Sequence, residues 1–237
     1  MIILDFDGVL FDSAWEAYEV GHLTVFGVRH GPADLSRWDL FRALRWKILA
    51  AWQYKPVFDS IRFGETLSQA EIRLENSRNS GFSAEDKEFE SMFFECRKAW
   101  IERSREEWQR LSRPMPFFFA IRPLIEKHPE HFAIVSTRNE ESIREMLQRF
   151  IHIDRLKIFG SAEFQANEES KAATIRKLVN PETISLFVDD GEDHLLATEG
   201  IPGLHTFLAG WGYVPAAKAR DNSPQVTQTI IDLLKEI

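Results

Sequence analysis

The hydrophobic pattern divides this chain into two parts of different texture. In residues 14–112, apolar side chains recur at three- and four-residue spacings, and strand-like alternation is nearly absent. From Pro114 onward, short apolar runs typical of buried strands alternate with amphipathic helical stretches. Such alternation predicts a parallel sheet with helices on both faces.

The predicted elements follow from the apolar runs and their boundaries. Strands are predicted at residues 1–4, 132–136, 156–159, 184–188 and 204–208. Helices between and after them are predicted at residues 117–128 (with Pro123 inside), 140–150, 170–179, 192–199 and 226–237. In the first part, helices are predicted from about residue 15 to 26 and at 35–52, 66–78 and 84–111, the last beginning after Ser83.

This order of elements predicts an α/β core interrupted by one helical insertion. The core comprises residues 1–12 and 115–237, and the insertion comprises residues 13–114. The insertion leaves directly after the first strand and returns before the second. Ligands of such parallel sheets bind at the carboxyl ends of the strands.

The first strand ends in two acidic residues, Asp5 and Asp7, and Gly8 follows them. Two carboxylates at the end of a buried strand are poorly placed for packing. They are well placed to bind a divalent cation and to attack or protonate a substrate. The alternative is a strand that merely ends in an acidic turn.

Three later positions carry polar groups at or just after the core strands. Ser136 and Thr137 end the second core strand, where hydroxyls bind a phosphate or cap a helix. Lys171 lies in a first helical turn, where it opposes the macrodipole. Asp189 and Asp190 are consecutive acids that repel each other, and a cation is the simplest compensation.

Lys171 has two alternatives in the sequence. It could form a solvated charge pair with the neighbouring Glu168 and Glu169. Lys177, about two turns further along the same helix, is a substitute for its role that we favour less.

The stretch Asp5-Phe-Asp7-Gly-Val-Leu-Phe-Asp-Ser13 resembles the first motif, DxDG(T/V)xxDS, of the haloacid dehalogenase superfamily in its phosphatase branch. The resemblance implies a Rossmann-like core with a helical cap. It also implies that Asp5 is the nucleophile and Asp7 the general acid and base. Ser136 with Thr137, and Lys171, then match the phosphate-binding second and third motifs.

The fourth motif implies a magnesium ion held by Asp5, Asp7 and Asp190, the Asp7 ligand being its backbone carbonyl. Relatives often carry Gly where this chain has Asp189, and a further acid where it has His194. Asp193 or Asp189 could complete the site, or its outer shell could be thinner. We favour a helix-surface or capping role for His194, since Mg²⁺ prefers oxygen ligands.

The resemblance implies a magnesium-dependent phosphatase acting on a small phosphomonoester, phosphoglycolate or a sugar phosphate, through an aspartyl phosphate. The segment Ala209-Gly-Trp-Gly-Tyr213 is similar to the WGY segment of phosphoglycolate-phosphatase-like members. A phosphomutase and a non-catalytic binding protein on the same scaffold are the alternatives. Arginines of the insertion are candidates to bind a substrate carboxylate or second phosphate: Arg42, Arg45, Arg62 and Arg73.

Composition narrows the set of partners. The chain has 237 residues, a net charge of -8 and no long basic run, which argues against nucleic acid or an anionic membrane as the main partner. Cys96 is the one cysteine, so no internal disulfide can form. We expect no signal peptide and no membrane-spanning segment, and we expect a cytoplasmic monomer or homodimer that binds a small phosphorylated metabolite.

Overall fold

The computed structural model describes residues 1–29, 35–162 and 170–236. In chain order its strands are β1 (Ile2–Leu4), β2 (Phe11–Asp12), β3 (Arg113–Pro114), β4 (Phe132–Val135), β5 (Lys157–Phe159), β6 (Ser185–Asp189) and β7 (Leu204–Leu208). Its helices are α1 (Ala14–Phe26), α2 (Leu35–Leu44), α3 (Tyr54–Phe63), α4 (Leu67–Ser80), α5 (Ala84–Gln109), α6 (Pro116–Lys127), α7 (Glu140–Leu147), α8 (Lys171–Leu178), α9 (Glu192–Leu196) and α10 (Ser223–Lys235).

The chain divides into two compact units. The core unit comprises Met1–Asp12 and Arg113–Ile237, and the inserted unit comprises Ser13–Ser112. The second segment of the core therefore begins at Arg113, where the sequence predicted residue 115. The reason is the short antiparallel pair of β2 and β3, in which Asp12 lies opposite Arg113.

A parallel sheet organises the core unit. Among the described residues its strand order is β5-β4-β1-β6-β7, with β1 paired to both β4 and β6. The β1 side chains are apolar throughout and fully buried, as expected of a strand covered on both faces. The prediction of an α/β fold with a parallel sheet is thus confirmed.

The buried cluster beside the sheet joins strand and helix side chains. Its members are Ile3, Val135, Ile175, Val179, Phe187 and Ile201. Because the strands are parallel, β1, β4 and β6 all end at the same edge of this sheet. That edge receives the polar residues that follow each strand.

The prediction of one helix over residues 35–52 is wrong. The helix α2 ends at Leu44, and the 3-10 turns Arg45–Lys47 and Ala51–Gln53 follow it. The next helix, α3, contains Pro56 and lies between the helices predicted at 35–52 and 66–78. Pro56 lies in the first turn of α3, where its missing N–H has no intrahelical partner to lose.

The inserted unit contains a buried ion pair in addition to its aromatic core. Arg97 Nε and Nη2 donate to the two carboxylate oxygens of Glu16 at 2.7 and 2.9 Å. Trp108 Nε1 donates to the same carboxylate at 2.7 Å. Since both charged side chains are almost fully buried, each depends on the other for compensation.

The first helical turn of α5 carries a capping box. Ser83 Oγ accepts the Asp86 N–H while the Asp86 carboxylate accepts the Ser83 N–H. This confirms the predicted helix start after Ser83. Within the described part of the chain, no helix is both long and apolar enough to cross a membrane.

Candidate active site

The carboxyl edge of the sheet gathers the predicted acidic residues. Asp5 directly follows β1, and its N–H donates to the Val188 carbonyl of β6 at 2.9 Å. Asp189 ends β6, and Asp190 follows it. Asp5, Asp189 and Asp190 each offer one carboxylate oxygen, and these oxygens lie within 4.8 Å of one another. Pairing of β1 with β6 therefore produces the cluster.

Lys171 lies between two of these carboxylates. Its Nζ is 2.9 Å from Asp5 Oδ1 and 2.6 Å from Asp189 Oδ2. The residue opens α8, and Ser170 caps that helix by accepting the Ala173 N–H. The residues Glu168 and Glu169, proposed as alternative partners, lie outside the described part of the chain. These two contacts link the Lys171 ammonium to the acidic cluster.

Burial dominates the ionisation of this cluster, and Lys171 opposes it. Burial raises the pKa of Asp5, and the Lys171 charge only partly offsets this. Burial also raises the pKa of Asp189, but Lys171 and His194 together outweigh it and the net pKa is lowered. Burial favours the neutral amine of Lys171, yet Asp189 and Asp5 raise its pKa overall. Lys171 is therefore charged at neutral pH.

The acidic cluster fits a divalent cation. Three buried carboxylates lie within 4.8 Å of one another and the Lys171 ammonium contacts two of them, which leaves negative charge that a cation would compensate. All the donors are oxygens, as Mg²⁺ prefers. Of the two further candidates, Asp189 belongs to the cluster, whereas Asp193 is exposed on α9. The ligand set itself stays a prediction.

His194 lies beside the cluster. Its ring Nδ1 is 3.2 and 3.4 Å from the two carboxylate oxygens of Asp189. A carboxylate at this position would repel Asp189, whereas an imidazole N–H can donate to it. The structure therefore places His194 against a candidate metal ligand, closer to the site than a helix-surface role implies.

The hydroxyl residues lie at the end of β4. Ser136 is 1% exposed, and its Oγ accepts the Arg138 N–H at 3.4 Å. Thr137 is half-buried beside it. The backbone of Ser136 is fixed by its N–H, which donates to the Phe159 carbonyl of β5. Phosphate binding by either hydroxyl stays a prediction.

Arg138 is a site residue that the sequence interpretation missed. Its Nη1 donates to Asp7 Oδ1 at 3.0 Å, and its Nε donates to Ser142 Oγ at 2.8 Å. In the sequence, Arg138 is simply the residue that follows Ser136 and Thr137. The one available signal was its position, two residues past a predicted phosphate ligand in a loop at the active edge.

The Gly-Trp-Gly-Tyr segment contacts the acidic cluster through its backbone. The Tyr213 N–H donates to Asp190 Oδ2 at 2.6 Å, and the Tyr213 hydroxyl donates to Asp12 at 2.7 Å. Trp211 Nε1 donates to the Val9 carbonyl at 3.1 Å. The segment thus holds Asp190 from one side while it contacts the loop that follows β1.

Glycine is required where these two loops meet. A Cβ on Gly212 would lie 2.4 Å from the Gly8 carbonyl oxygen, and a Cβ on Gly8 would lie 1.9 Å from Asp190 Oδ2. Gly8 also has a φ of +80°, in the left-handed region that glycine favours. Close approach of the two backbones therefore fixes the Asp190 carboxylate.

Replacing Gly8 by Ala is expected to lower the affinity for Mg²⁺ about 10–100-fold, because the new methyl group displaces the Asp190 carboxylate. Calorimetric titration with Mg²⁺ measures the effect. Gly200→Ala is the matched control, since Gly200 has a φ of +76° and open space around its Cβ position. Equal affinities of the two variants for Mg²⁺ would contradict the expectation.

The four candidate arginines of the insertion contact groups inside the inserted unit. The contacts are Arg42 with Asp39 at 3.6 Å, Arg45 with the Ile48 carbonyl at 3.0 Å, Arg62 with the Val25 carbonyl at 2.9 Å and Arg73 with Glu65 at 3.0 Å. Substrate binding by these arginines stays a prediction.

Comparison with known proteins identifies the fold. No protein-family model matches the chain, and no curated protein matches it. A haloacid dehalogenase-like family hydrolase from Streptococcus pneumoniae matches at a TM-score of 0.54 and 15% identity, covering 97% of each chain. The chain therefore has the fold of haloacid dehalogenase-like proteins, which confirms the resemblance of its first motif at the level of fold.

Two further matches show that proteins named for different activities share this fold. A candidate phosphoglycolate phosphatase from Lactobacillus delbrueckii subsp. bulgaricus matches at a TM-score of 0.58 and 9% identity, covering 97% of each chain. A protein tyrosine kinase from Mycobacterium tuberculosis matches at 0.52 and 16% identity, covering 91% of this chain and 85% of its own. Function must therefore be argued from the site.

Proposed function

We propose that this protein is a magnesium-dependent phosphatase that hydrolyses a small phosphomonoester through an aspartyl phosphate on Asp5. The observation that carries the proposal is the buried contact of Lys171 with both Asp5 and Asp189, beside Asp190. Phosphoryl transfer through an aspartyl phosphate uses a nucleophilic carboxylate, a fixed positive charge and oxygen ligands for a metal ion.

In the proposed reaction, a carboxylate oxygen of Asp5 attacks phosphorus in line with the leaving oxygen. The bond from phosphorus to that oxygen breaks as the bond to Asp5 forms, and Asp7 donates its proton to the leaving oxygen. Ser136, Thr137 and Lys171 bind the remaining phosphate oxygens, on which negative charge accumulates. The product alcohol then departs.

The second step releases phosphate. Asp7, now a carboxylate, takes a proton from water while the water oxygen attacks phosphorus and the bond to Asp5 breaks. Free phosphate leaves, and Asp7 is again protonated. Asp5, Asp190 and the backbone carbonyl of Asp7, with Asp189 beside them, would hold Mg²⁺, which when bound offsets the charge of the phosphate.

The substrate class we propose is phosphoglycolate or a sugar phosphate. One similar structure carries the name of a phosphoglycolate phosphatase, and the Gly-Trp-Gly-Tyr segment resembles that branch. The inserted unit, Ser13–Ser112, acts in this proposal as a cap that excludes water and selects the substrate. The net charge of -8 supports a small phosphorylated metabolite over nucleic acid.

A phosphate-release screen tests the proposal. The purified protein is incubated with phosphoglycolate, sugar phosphates and nucleotides, in Mg²⁺ and in chelator. We expect release from at least one of the small phosphomonoesters with Mg²⁺ and none with chelator, because the excess negative charge of the site repels the phosphate when no cation is bound. Absence of release from every compound, together with failure to bind Mg²⁺, would instead support a binding protein.

The same assay separates the hydrolase from a phosphomutase. Both would use Asp5 and Asp7. Incubation with a hexose 1-phosphate yields free phosphate in the first case and the hexose 6-phosphate in the second. We expect free phosphate.

A further inference from the structure

We propose that Arg138 is a positioning residue that holds the Asp7 side chain where it exchanges protons with the leaving oxygen and the attacking water. The inference rests on the proposed function, because it assigns Asp7 the role of acid and base. The contact that suggests it is the hydrogen bond from Arg138 Nη1 to Asp7 Oδ1, at 3.0 Å.

Asp7 needs such a contact because its side chain is the adjustable part of a fixed loop. The loop backbone is anchored by the N–H groups of Leu10 and Phe11, which both donate to the Phe6 carbonyl. The N–H of Gly8 donates back to the Phe11 carbonyl at 2.7 Å. These bonds fix the Cα of Asp7, but two side-chain torsions still decide where its carboxyl group points.

Arg138 is itself held firmly. Its Nε donates to Ser142 Oγ at 2.8 Å, and its guanidinium carbon lies 5.7 Å from the centre of the buried Phe6 ring. Its carbonyl accepts the Ser161 N–H at 2.9 Å. Arg138 is thus fixed through its backbone carbonyl, through the Phe6 ring and through Nε. A guanidinium held in this way can orient a carboxylate, because its planar N–H donors point in fixed directions.

The exposure of the two partners is unequal, which separates this pair from a structural one. The side chain of Arg138 is 1% exposed, whereas that of Asp7 is 18% exposed. In the structural pair of the inserted unit, Arg97 and Glu16 are 4% and 0% exposed. The buried Arg138 side chain thus orients a carboxylate that is still accessible to solvent. A group that exchanges protons with water must be accessible in this way.

The Arg138 hydrogen bond to Asp7 Oδ1 sets the direction in which the Asp7 carboxyl group exchanges its proton. A carboxyl group displaced by about 1 Å loses roughly 10²-fold in rate, since catalysis depends on the near-attack geometry. The loss should fall only on the two steps in which Asp7 transfers a proton.

Variation of the leaving group tests the inference. Arg138→Gln and Arg138→Lys are assayed on a series of phosphomonoesters, from 2,4-dinitrophenyl phosphate to an alkyl phosphate. We expect Arg138→Gln to lose about 10²-fold in kcat/KM on the alkyl ester and only a few-fold in kcat/KM on the dinitrophenyl ester, which leaves without a proton. The ratio kcat/KM is compared because it covers only the steps up to departure of the leaving group, whereas kcat also contains the hydrolysis of the aspartyl phosphate, which needs Asp7 for every ester. Arg138→Lys keeps a cation and should lose less.

Arg144→Gln provides the matched control, since Arg144 lies on α7, is 37% exposed and pairs with Glu140. We expect its leaving-group dependence to equal that of the unmodified protein. A uniform loss of kcat/KM for all esters in the Arg138 variants would overturn the inference, because it would indicate a role in phosphate binding or folding.

A crystal structure of Arg138→Gln gives an outcome independent of turnover. We expect the Asp7 carboxyl group in a new rotamer or in several. An unchanged Asp7 side chain would overturn the inference even if the protein releases phosphate. Absence of phosphate release by the unmodified protein would contradict the proposed function, while the Asp7 rotamer would still decide whether Arg138 positions it. If Arg138→Gln fails to fold, Arg138→Lys serves for both measurements.

Discussion

Asp5→Asn is expected to reduce phosphate release at least about 10⁴-fold, the scale on which loss of a nucleophile acts. Asparagine keeps the size and much of the hydrogen bonding of the side chain, but its amide oxygen cannot form the aspartyl phosphate. Asp189 and Asp190 cannot replace it, because they lie at the end of a neighbouring strand and Asp189 is fully buried against Lys171. The rate of phosphate release with the best substrate and Mg²⁺ measures the loss.

Asp232→Asn is the control for the chemical change itself. Asp232 is exposed on α10 and hydrogen-bonded to Lys235, on the last helix of the chain. We expect its phosphate release to equal that of the unmodified protein. Near-full turnover by Asp5→Asn would show that the reaction does not proceed through Asp5.

Binding of beryllofluoride separates loss of the nucleophile from loss of the fold. The unmodified protein should bind it at Asp5, since a carboxylate and a phosphate-shaped fluoride complex reproduce the aspartyl phosphate. Asp5→Asn should not bind beryllofluoride, but its unfolding midpoint should equal that of the unmodified protein. If neither protein bound beryllofluoride, the carboxylate would not be acting as a phosphate acceptor.

The residues at the strand ends could be predicted because the strands themselves are visible in the sequence. Uninterrupted apolar runs place Asp5, Ser136 and Asp189 at strand ends, and parallel pairing brings strand ends together. Lys171 was visible as a cation at an unfavourable helix position. The structure confirms the parallel sheet and gathers Asp5, Asp189 and Lys171, while their chemical roles stay predictions.

Contacts made by the end of a long side chain or by a backbone N–H group could not be predicted from the sequence. Arg138 reaches Asp7 across a sequence separation of 131 residues, and no local pattern indicates where a long side chain ends. Tyr213 holds Asp190 through its N–H, which every residue except proline carries. The extent of α2 was misjudged because apolar spacing continues through residues 45–53, where the backbone forms only the short 3-10 turns Arg45–Lys47 and Ala51–Gln53.

Lys171→Met is expected to lower both activity and stability. Methionine has a similar length but leaves Asp5 and Asp189 without the ammonium that lies 2.9 and 2.6 Å from them. We expect kcat to fall about 10³-fold, because the fixed charge that stabilises the transferring phosphate is lost. Without Mg²⁺, the free energy of unfolding should fall by about 3–5 kcal/mol, the cost of leaving buried charge uncompensated. Phosphate-release kinetics and urea unfolding measure the two effects.

Lys177→Met provides the matched control on the same helix. Lys177 is exposed on α8, and removal of its charge should leave both kcat and the unfolding free energy near those of the unmodified protein. A large loss of kcat in Lys177→Met with none in Lys171→Met would contradict this prediction, because Lys177 would then be the lysine that binds phosphate.

The pH dependence of the Lys171→Met defect identifies its cause. Burial already raises the pKa of Asp5, and without Lys171 the repulsion from Asp189 raises it further. A carboxyl group whose pKa is higher in the folded chain favours folding while it is protonated, and this stability is lost as pH rises through the folded-state pKa. The difference in unfolding free energy between the variant and the unmodified protein should therefore be smaller at pH 5 than at pH 8. Mg²⁺ should also reduce it, since the cation compensates the same carboxylates. A difference unaffected by both pH and Mg²⁺ would mean that Lys171 contributes packing and that charge compensation is not its role.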